Sequence, residues 1–316
     1  MQTKIHLSRR QALLSGAAAV LAGASGGLTA VPAFAKAEMK GVAVPLFSRA
    51  RLGRFEVTTL LAGTRTVADP QSIFGTNVDA ATFRSAADAA FLPVDRAQFF
   101  FTPTLVNTGS EVVLFDTGLA PEGLTAAIAA AGYEPGQVDV VVVTHMHPDH
   151  IGGLMGAAGP TFANARYVTG ATEHSFWSGQ GSEAFDKAVK PLNDRFTLIN
   201  DGGSVAPGIT GMNAYGHTPG HMIYLLESGG QRLAVTADTA NHYVWSLGYP
   251  DWEVKFDADK TAAAAARRRV FGMIAADRIP FIGYHMPFPA MGFVEAAGEG
   301  FRYVPASYQL IMDEPG

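Results

Sequence analysis

Three histidines and a carboxylate fall within six residues in the run Thr144-His145-Met146-His147-Pro148-Asp149-His150, and all four side chains are of types that ligate divalent metals. They follow directly on Val138-Asp139-Val140-Val141-Val142-Val143, an apolar run that reads as a strand buried on both faces. Ligands placed where a rigid strand gives way to a loop are held firmly. His145 and His147, two residues apart, converge on one ion where the backbone stays extended, and the Asp149-His150 step after the turn-forming Pro148 swings toward a second. A catalytic zinc needs only three protein ligands plus water, so four candidates in one segment point to two metals.

A dinuclear site then needs about three further ligands, one of them a carboxylate able to bridge. The chain offers His217 in Gly216-His217-Thr218-Pro219-Gly220-His221, Asp238 in Ala237-Asp238-Thr239, and His285 after Phe281-Ile282-Gly283-Tyr284, each following a strand-like segment. In this order the motifs resemble the metallo-β-lactamase superfamily, whose HxHxDH motif is followed by a lone His, a lone Asp and a lone His. By that resemblance His145, His147 and His217 hold the first metal, Asp149, His150 and His285 hold the second, and Asp238 bridges them. Phe115-Asp116-Thr117-Gly118 looks like the superfamily's upstream Asp-Thr-Gly turn, with Asp116 supporting the ligands without binding metal. The resemblance spans roughly residues 50 to 300. The segment Gly283-Tyr284-His285-Met286-Pro287-Phe288-Pro289, with the leader described below, resembles the branch that contains methyl parathion hydrolase and related lactonases.

Two divalent ions about 3.5 to 4 Å apart would share a water and pull its pKa from ~15.7 toward ~7, making a bridging hydroxide the nucleophile. Asp238 and Asp149 are then the carboxylates expected to act in the chemistry, Asp238 by holding the ions together and accepting a proton. Zinc is the expected metal. The resemblance implies hydrolysis of a lactone or an aryl or alkyl ester, with phosphotriesters as a further activity. A periplasmic β-lactam hydrolase and a metal-binding protein without catalysis are the alternatives.

A lone histidine is more often structural than functional, so His221 and His242 stand apart from the ligand set. His221 is expected to orient a ligand or to make a structural hydrogen bond, and His242, four residues past Asp238, to line the substrate pocket. Trp177, Phe196 and Trp245 lie in or beside loop-like segments and are candidate apolar pocket walls. Phe99-Phe100-Phe101, at strand spacing, reads as core.

The whole chain must be large enough to position such a set. Its 316 residues are 48% hydrophobic and 16% charged, which suits a full core and excludes a disordered protein. Residues 1–35 differ: Ser8-Arg9-Arg10 opens an Ala/Leu/Gly-rich segment ending in Ala33-Phe34-Ala35, the pattern of a twin-arginine export signal, which predicts a mature domain of 36–316 in the periplasm or outside the cell. Beyond this leader no apolar run reaches 18 residues, so no stable membrane insertion is expected.

Cleavage would remove Lys4, Arg9 and Arg10 and no acid, taking the formal charge from -5 to -8. An acidic protein argues against nucleic acid and for a small-molecule substrate. The basic cluster Arg267-Arg268-Arg269 reads as a solvated helix face. Oligomeric state stays open between a monomer and a homodimer. With no cysteine, disulfides are impossible and metals must be held by nitrogen and oxygen.

Patterning predicts a first strand over 54–61 preceded by an irregular segment, and helices over 80–90 and from Pro121 to 131. A hairpin of 99–107 with 111–115 follows from the intervening Thr-Gly-Ser, and Asp259 to Ala276 reads as a long helix. Strands and helices intersperse in both halves, an α/β or α+β pattern, and the resemblance implies an αββα sandwich in a single domain.

Overall fold

The computed structural model describes residues 39–312; the leader assigned to residues 1–35 lies outside them. In the first half the elements are β1 (Phe47–Leu52), β2 (Phe55–Leu60), β3 (Gly63–Ala68), α1 (Ala80–Ala89), β4 (Arg96–Phe101), β5 (Thr104–Asn107), β6 (Val112–Phe115), α2 (Pro121–Ala130), β7 (Val140–Val143) and the single-turn α3 (Pro148–Ile151). They continue through β8 (Met155–Gly156), β9 (Gly159–Pro160), β10 (Arg166–Gly170), α4 (Ala171–Ser178), α5 (Glu183–Ala188) and β11 (Phe196–Ile199). The second half holds β12 (Ser204–Ala206), β13 (Ile209–Asn213), β14 (Met222–Ser228), β15 (Gln231–Ala237), α6 (Lys260–Asp277), β16 (Phe281–Gly283), β17 (Met291–Ala297) and β18 (Gly300–Pro305).

Two seven-stranded sheets result, ordered β1-β2-β5-β6-β7-β10-β11 and β12-β13-β14-β15-β16-β17-β18. The valines of β7 explain how they pack. Alternate side chains of a strand point to opposite faces, so Val140 and Val142 enter a core that also holds Tyr224, Leu226 and Val235 of the second sheet. Val141 and Val143 enter a separate core with Leu124 and Ile128 of α2 and Phe185 of α5. All four valines are fully buried, as a strand covered on both faces requires. Strands β6, β7 and β10 run parallel, as do β15 and β16, so the ends of β7, β15 and β16 each open into a ligand-bearing loop.

Several sequence expectations shift in the structure. The segment expected to be irregular up to Ala50 contains β1, which pairs antiparallel with β2 along its whole length. The expected hairpin divides: Thr104–Asn107 pairs with Val112–Phe115, but Phe99–Phe101 belongs to β4, which pairs with β3 in a separate two-stranded ribbon. Pro103, which cannot donate to a ladder, lies in the break between β4 and β5. Helix α6 begins where its Asp259 side chain accepts from the Ala262 N–H at 2.9 Å, an N-cap readable from sequence. Among the described residues no helix is long and apolar enough to cross a membrane.

Candidate metal centre

Five of the seven proposed ligands leave strand ends or the turns just beyond them, and the other two sit on a single helical turn. β7 runs into His145 and His147, and α3 then carries Asp149 and His150 on one turn. His217 lies between β13 and β14, Asp238 directly after β15, and His285 two residues past β16. Ala237, just before Asp238, has φ 44°, and Asp116 has φ 61°, so the backbone enters the left-handed region at or beside two carboxylates of the site. Gly216, beside His217, has φ 131°, and a Cβ there would lie 2.1 Å from the Ala263 nitrogen, so only glycine lets this loop reach the start of α6.

The seven side chains meet in two overlapping groups. His145 Nε2 lies 3.1 Å from His147 Nδ1, which lies 2.9 Å from His217 Nε2. On the other side His285 Nε2 is 3.3 Å and His150 Nε2 3.7 Å from Asp149 Oδ2. Asp238 reaches both: its oxygens are 3.3 Å from His150 and His217, 3.2 Å from His285 and 3.9 Å from His145.

This donor set fits a pair of divalent cations. Ligand nitrogens about 2.0–2.1 Å from a tetrahedral zinc stand ~3.4 Å apart, close to the spacing of the three imidazoles. His150 Nε2 and Asp238 Oδ1 lie buried 3.3 Å apart and neither makes a formed hydrogen bond among the described residues, an arrangement costly for ordinary core groups and natural for ligand atoms. The far side of the ligand rings is braced. His150 Nδ1 bonds Asp116 Oδ2 at 2.9 Å, His217 Nδ1 bonds Asp257 Oδ1 at 2.9 Å, His285 Nδ1 donates to the Phe100 carbonyl at 2.8 Å, and His145 Nδ1 lies 3.2 Å from the Thr144 hydroxyl. Such partners fix the tautomer and aim the opposite nitrogen at the metal.

Electrostatics divide the histidines. Burial, with His217 adjacent, depresses His147 to about 3, and burial with His150 adjacent holds His145 well below its ordinary value, so both present free lone pairs at neutral pH. Burial acts the same way on His217 and His285 but is outweighed. Asp238 and Asp257 push His217 up to about 9, and Asp238 and Asp149 push His285 up to about 10. Asp238 is itself held well below the carboxylate range because His285 and His150 outweigh its burial.

Sequence reasoning missed several of the supporting groups. Asp257 gave no motif signal, yet it accepts from His217 and from Arg267 Nη1 at 2.7 Å. The expectation that Arg267 belongs to a solvated face is corrected here: it is 1% exposed, and its remaining donors meet the Pro250 and Trp252 carbonyls. Helical spacing from its buried neighbours Ala263, Val270 and Phe271 was the available clue. The Tyr284 ring lies tilted against that of His150, centroids 3.9 Å apart, and its hydroxyl donates to the Asp149 carbonyl at 2.5 Å. His221 Nε2 accepts the Asp238 N–H at 3.1 Å, which positions the bridging carboxylate through its backbone.

The cavity above the ligands, about 290 Å³, is walled by Arg65 and Val67 of β3, Phe99 and Phe101 of β4, Ile73, Leu119 and Phe256. None of the four expected wall residues lines it, but His242 and Trp245 line a neighbouring cavity that also reaches His285. Trp245 is fully buried beneath the ribbon, stacked 4.2 Å from His242 and 4.9 Å from Phe83. His242 Nδ1 accepts the Val244 and Trp245 backbone N–H groups. Phe196 packs on Tyr167 at the edge of the first sheet. Trp177 comes nearer, its ring edge-on to His147 at 5.7 Å, but its place is beneath a ligand rather than in the wall. Phe99 and Phe101 are core residues, as expected, and their side chains also border this cavity.

A family model described as the metallo-beta-lactamase superfamily matches residues 102–280. The chain belongs to the metallo-β-lactamase superfamily. An N-acyl homoserine lactonase of Bacillus sp is 31% identical over 97 residues, 31% of this chain and 36% of that protein. A Bacillus cereus protein of the same name is 24% identical over 119 residues, 38% of this chain and 45% of its own. The matched stretches thus span less than half the length of these curated relatives. Among solved structures, the dizinc quorum-quenching lactonase AidC, bound to a product, superposes with a TM-score of 0.77 at 23% identity, covering 84% of this chain and all of its own. The hydrolase AbOPH superposes at 0.78 with 24% identity over 85% of this chain and all of its own. At these identities the superpositions establish the fold, the αββα sandwich.

Proposed function

We propose that this protein is an exported hydrolase dependent on two divalent metal ions, zinc in the first instance, that opens a lactone or an aryl or alkyl ester and also accepts phosphotriesters. The observation that carries this reading is the meeting of seven nitrogen and oxygen ligands under an apolar wall, with the ligand-bearing side of the set facing the cavity. Metal ions held by His145, His147, Asp149, His150, His217, Asp238 and His285 supply Lewis acidity and lower the pKa of water, so no side-chain nucleophile is required. Asp238 Oδ1, 3.3 Å from His150 Nε2 and without a formed hydrogen bond among the described residues, would be the atom that receives a proton as water attacks. The Tyr284 hydroxyl is committed to a backbone carbonyl and does not serve as the acid. Val67, Phe99, Phe101 and Phe256 exclude water and receive the apolar part of the substrate. The lactonases among the relatives support the acyl preference, and the twin-arginine pattern in residues 1–35 supports export.

Purified protein lacking residues 1–35 and loaded with zinc is the material for the test. Turnover is measured on dihydrocoumarin, an acyl-homoserine lactone, p-nitrophenyl acetate, a paraoxon-type triester and nitrocefin. The proposal expects the lactone and ester members to be the best substrates. Two bound metals with no acyl or phosphoryl turnover would refute it, and nitrocefin cleavage alone would make the protein a β-lactam hydrolase.

A further inference from the structure

One buried carboxylate takes no part in the ligand set yet touches every segment that carries the first group of ligands. Glu173, at the third position of α4, is fully buried and has no cationic partner among the described residues. Its Oε1 accepts the Met146 N–H at 2.9 Å and the Trp177 indole N–H at 2.7 Å. Its Oε2 accepts the Thr218 hydroxyl at 2.7 Å and the Gly220 N–H at 3.0 Å. Met146 lies between His145 and His147, Thr218 follows His217, and the ring of Trp177 rests edge-on against His147. A second observation concerns backbone approach. A Cβ on Gly220 would fall 2.1 Å from the Glu173 nitrogen, so only glycine allows the His217 loop to come down onto the start of α4.

We infer that Glu173 is a positioning residue that ties the His145–His147 segment to the His217 loop and thereby sets the affinity of the first metal position. The inference rests on the metal reading proposed above but assigns to this chain a control that the ligand list does not contain. A carboxylate is needed because both of its oxygens meet donors only. Glutamine, of the same size, must turn its NH₂ either toward the Gly220 N–H and Thr218 or toward the Met146 and Trp177 N–H groups, and no rotamer avoids a donor facing a donor. Asp149, His150 and His285 are braced instead through Asp116, Tyr284 and Phe100, so the second position should not feel the change.

The test is metal binding by the full metal-free protein, without any turnover. Zinc affinities are read by competition with a chromophoric chelator and stoichiometry by elemental analysis, while cobalt spectra report the geometry of each site. In Glu173→Gln one of the two affinities should fall about 10- to 100-fold, the scale on which outer hydrogen-bond partners act, while the other stays within a factor of three. Thr218→Val and Trp177→Phe each remove one donor and guard against a Glu173→Gln protein that does not fold; each should weaken the same position by a smaller factor. Thermal unfolding of the metal-free variants checks that folding is intact. Two affinities unchanged in Glu173→Gln, or both lowered equally in all three variants, would overturn the inference. A wild-type protein that binds no metal would instead overturn the metal reading itself.

Discussion

The floor and the wall of the cavity are built in opposite ways. On the floor, five of the seven ligand side chains are buried, and four of the imidazoles are braced from behind by a named partner, Asp116, Asp257, Thr144 or the Phe100 carbonyl. On the wall, Arg65, Val67, Phe99 and Phe101 come from a two-stranded ribbon that pairs with neither large sheet, and Leu119 and Phe256 are 47% and 43% exposed. A floor tied atom by atom sets which bond is attacked, and a wall held by packing sets what enters. The two join at His285, whose Nδ1 donates to the Phe100 carbonyl of β4 and whose ring packs edge-on against Phe99 and Phe101.

Breaking the floor should have the largest effects. Asp238→Ala removes the one carboxylate among the described residues within reach of both ligand groups, and bound metal should drop from about two per chain to one or fewer, with ester hydrolysis lowered more than ~100-fold. Two metals retained by this variant would separate Asp238 from the ligand set. Asp257→Asn comes next, because it leaves the Arg267 guanidinium buried beside a neutral partner. Loss of one member of a buried pair typically costs about 3–5 kcal/mol, which a urea unfolding curve of the metal-free protein would register as a lower midpoint. An unchanged midpoint would mean that Arg267 finds solvent after all.

The charged floor also predicts how the metal-free protein responds to pH. His217 and His285 titrate in the fold at about 9 and about 10, above the ordinary 6.5, so their stabilisation is complete below pH 6.5 and is lost as pH rises through 9 to 10. His147 has the opposite sign. It stays neutral in the fold down to about 3, so stability also falls as pH drops from 6.5 toward 3. Thermal unfolding of metal-free protein should therefore peak near pH 6 to 7, and zinc should flatten the alkaline limb because bound imidazoles are already deprotonated. A stability that rises steadily from pH 6.5 to 10 would contradict this arrangement of charges.

The floor was far more legible in the sequence than the wall, for a physical reason. Metal ligands are restricted to a few residue types at strand ends, so His145, His147, Asp149 and His150 announce themselves, and the buried valines before them fix where they stand. A supporting carboxylate carries no such restriction. Asp257 and Glu173 are single acids whose partners lie 40 and up to 47 residues away, and only the folded chain brings them together. The wall failed for another reason. Alternation along Phe99-Phe100-Phe101 tells that two faces exist, but not that one of them looks into a cavity, because that depends on Pro103 breaking β4 away from β5 and freeing it to pair with β3.

The smallest effect belongs to the exposed end of the wall, and it tests whether wall and floor are separable. Leu119 and Phe256 border the cavity while remaining partly open to water, so a bound substrate would cover what is left of them. Covering about half of such a side chain is worth about 1 kcal/mol, so Leu119→Ala or Phe256→Ala should raise KM for an apolar ester about fivefold. Because this contact exists equally before and during bond breaking, kcat and bound metal should stay as they are. Steady-state kinetics on a short and a long acyl ester decides it, since the longer chain should suffer more. A fall in kcat at constant KM would mean that the exposed end of the wall helps to shape the reaction, and the division of labour between floor and wall would have to be given up.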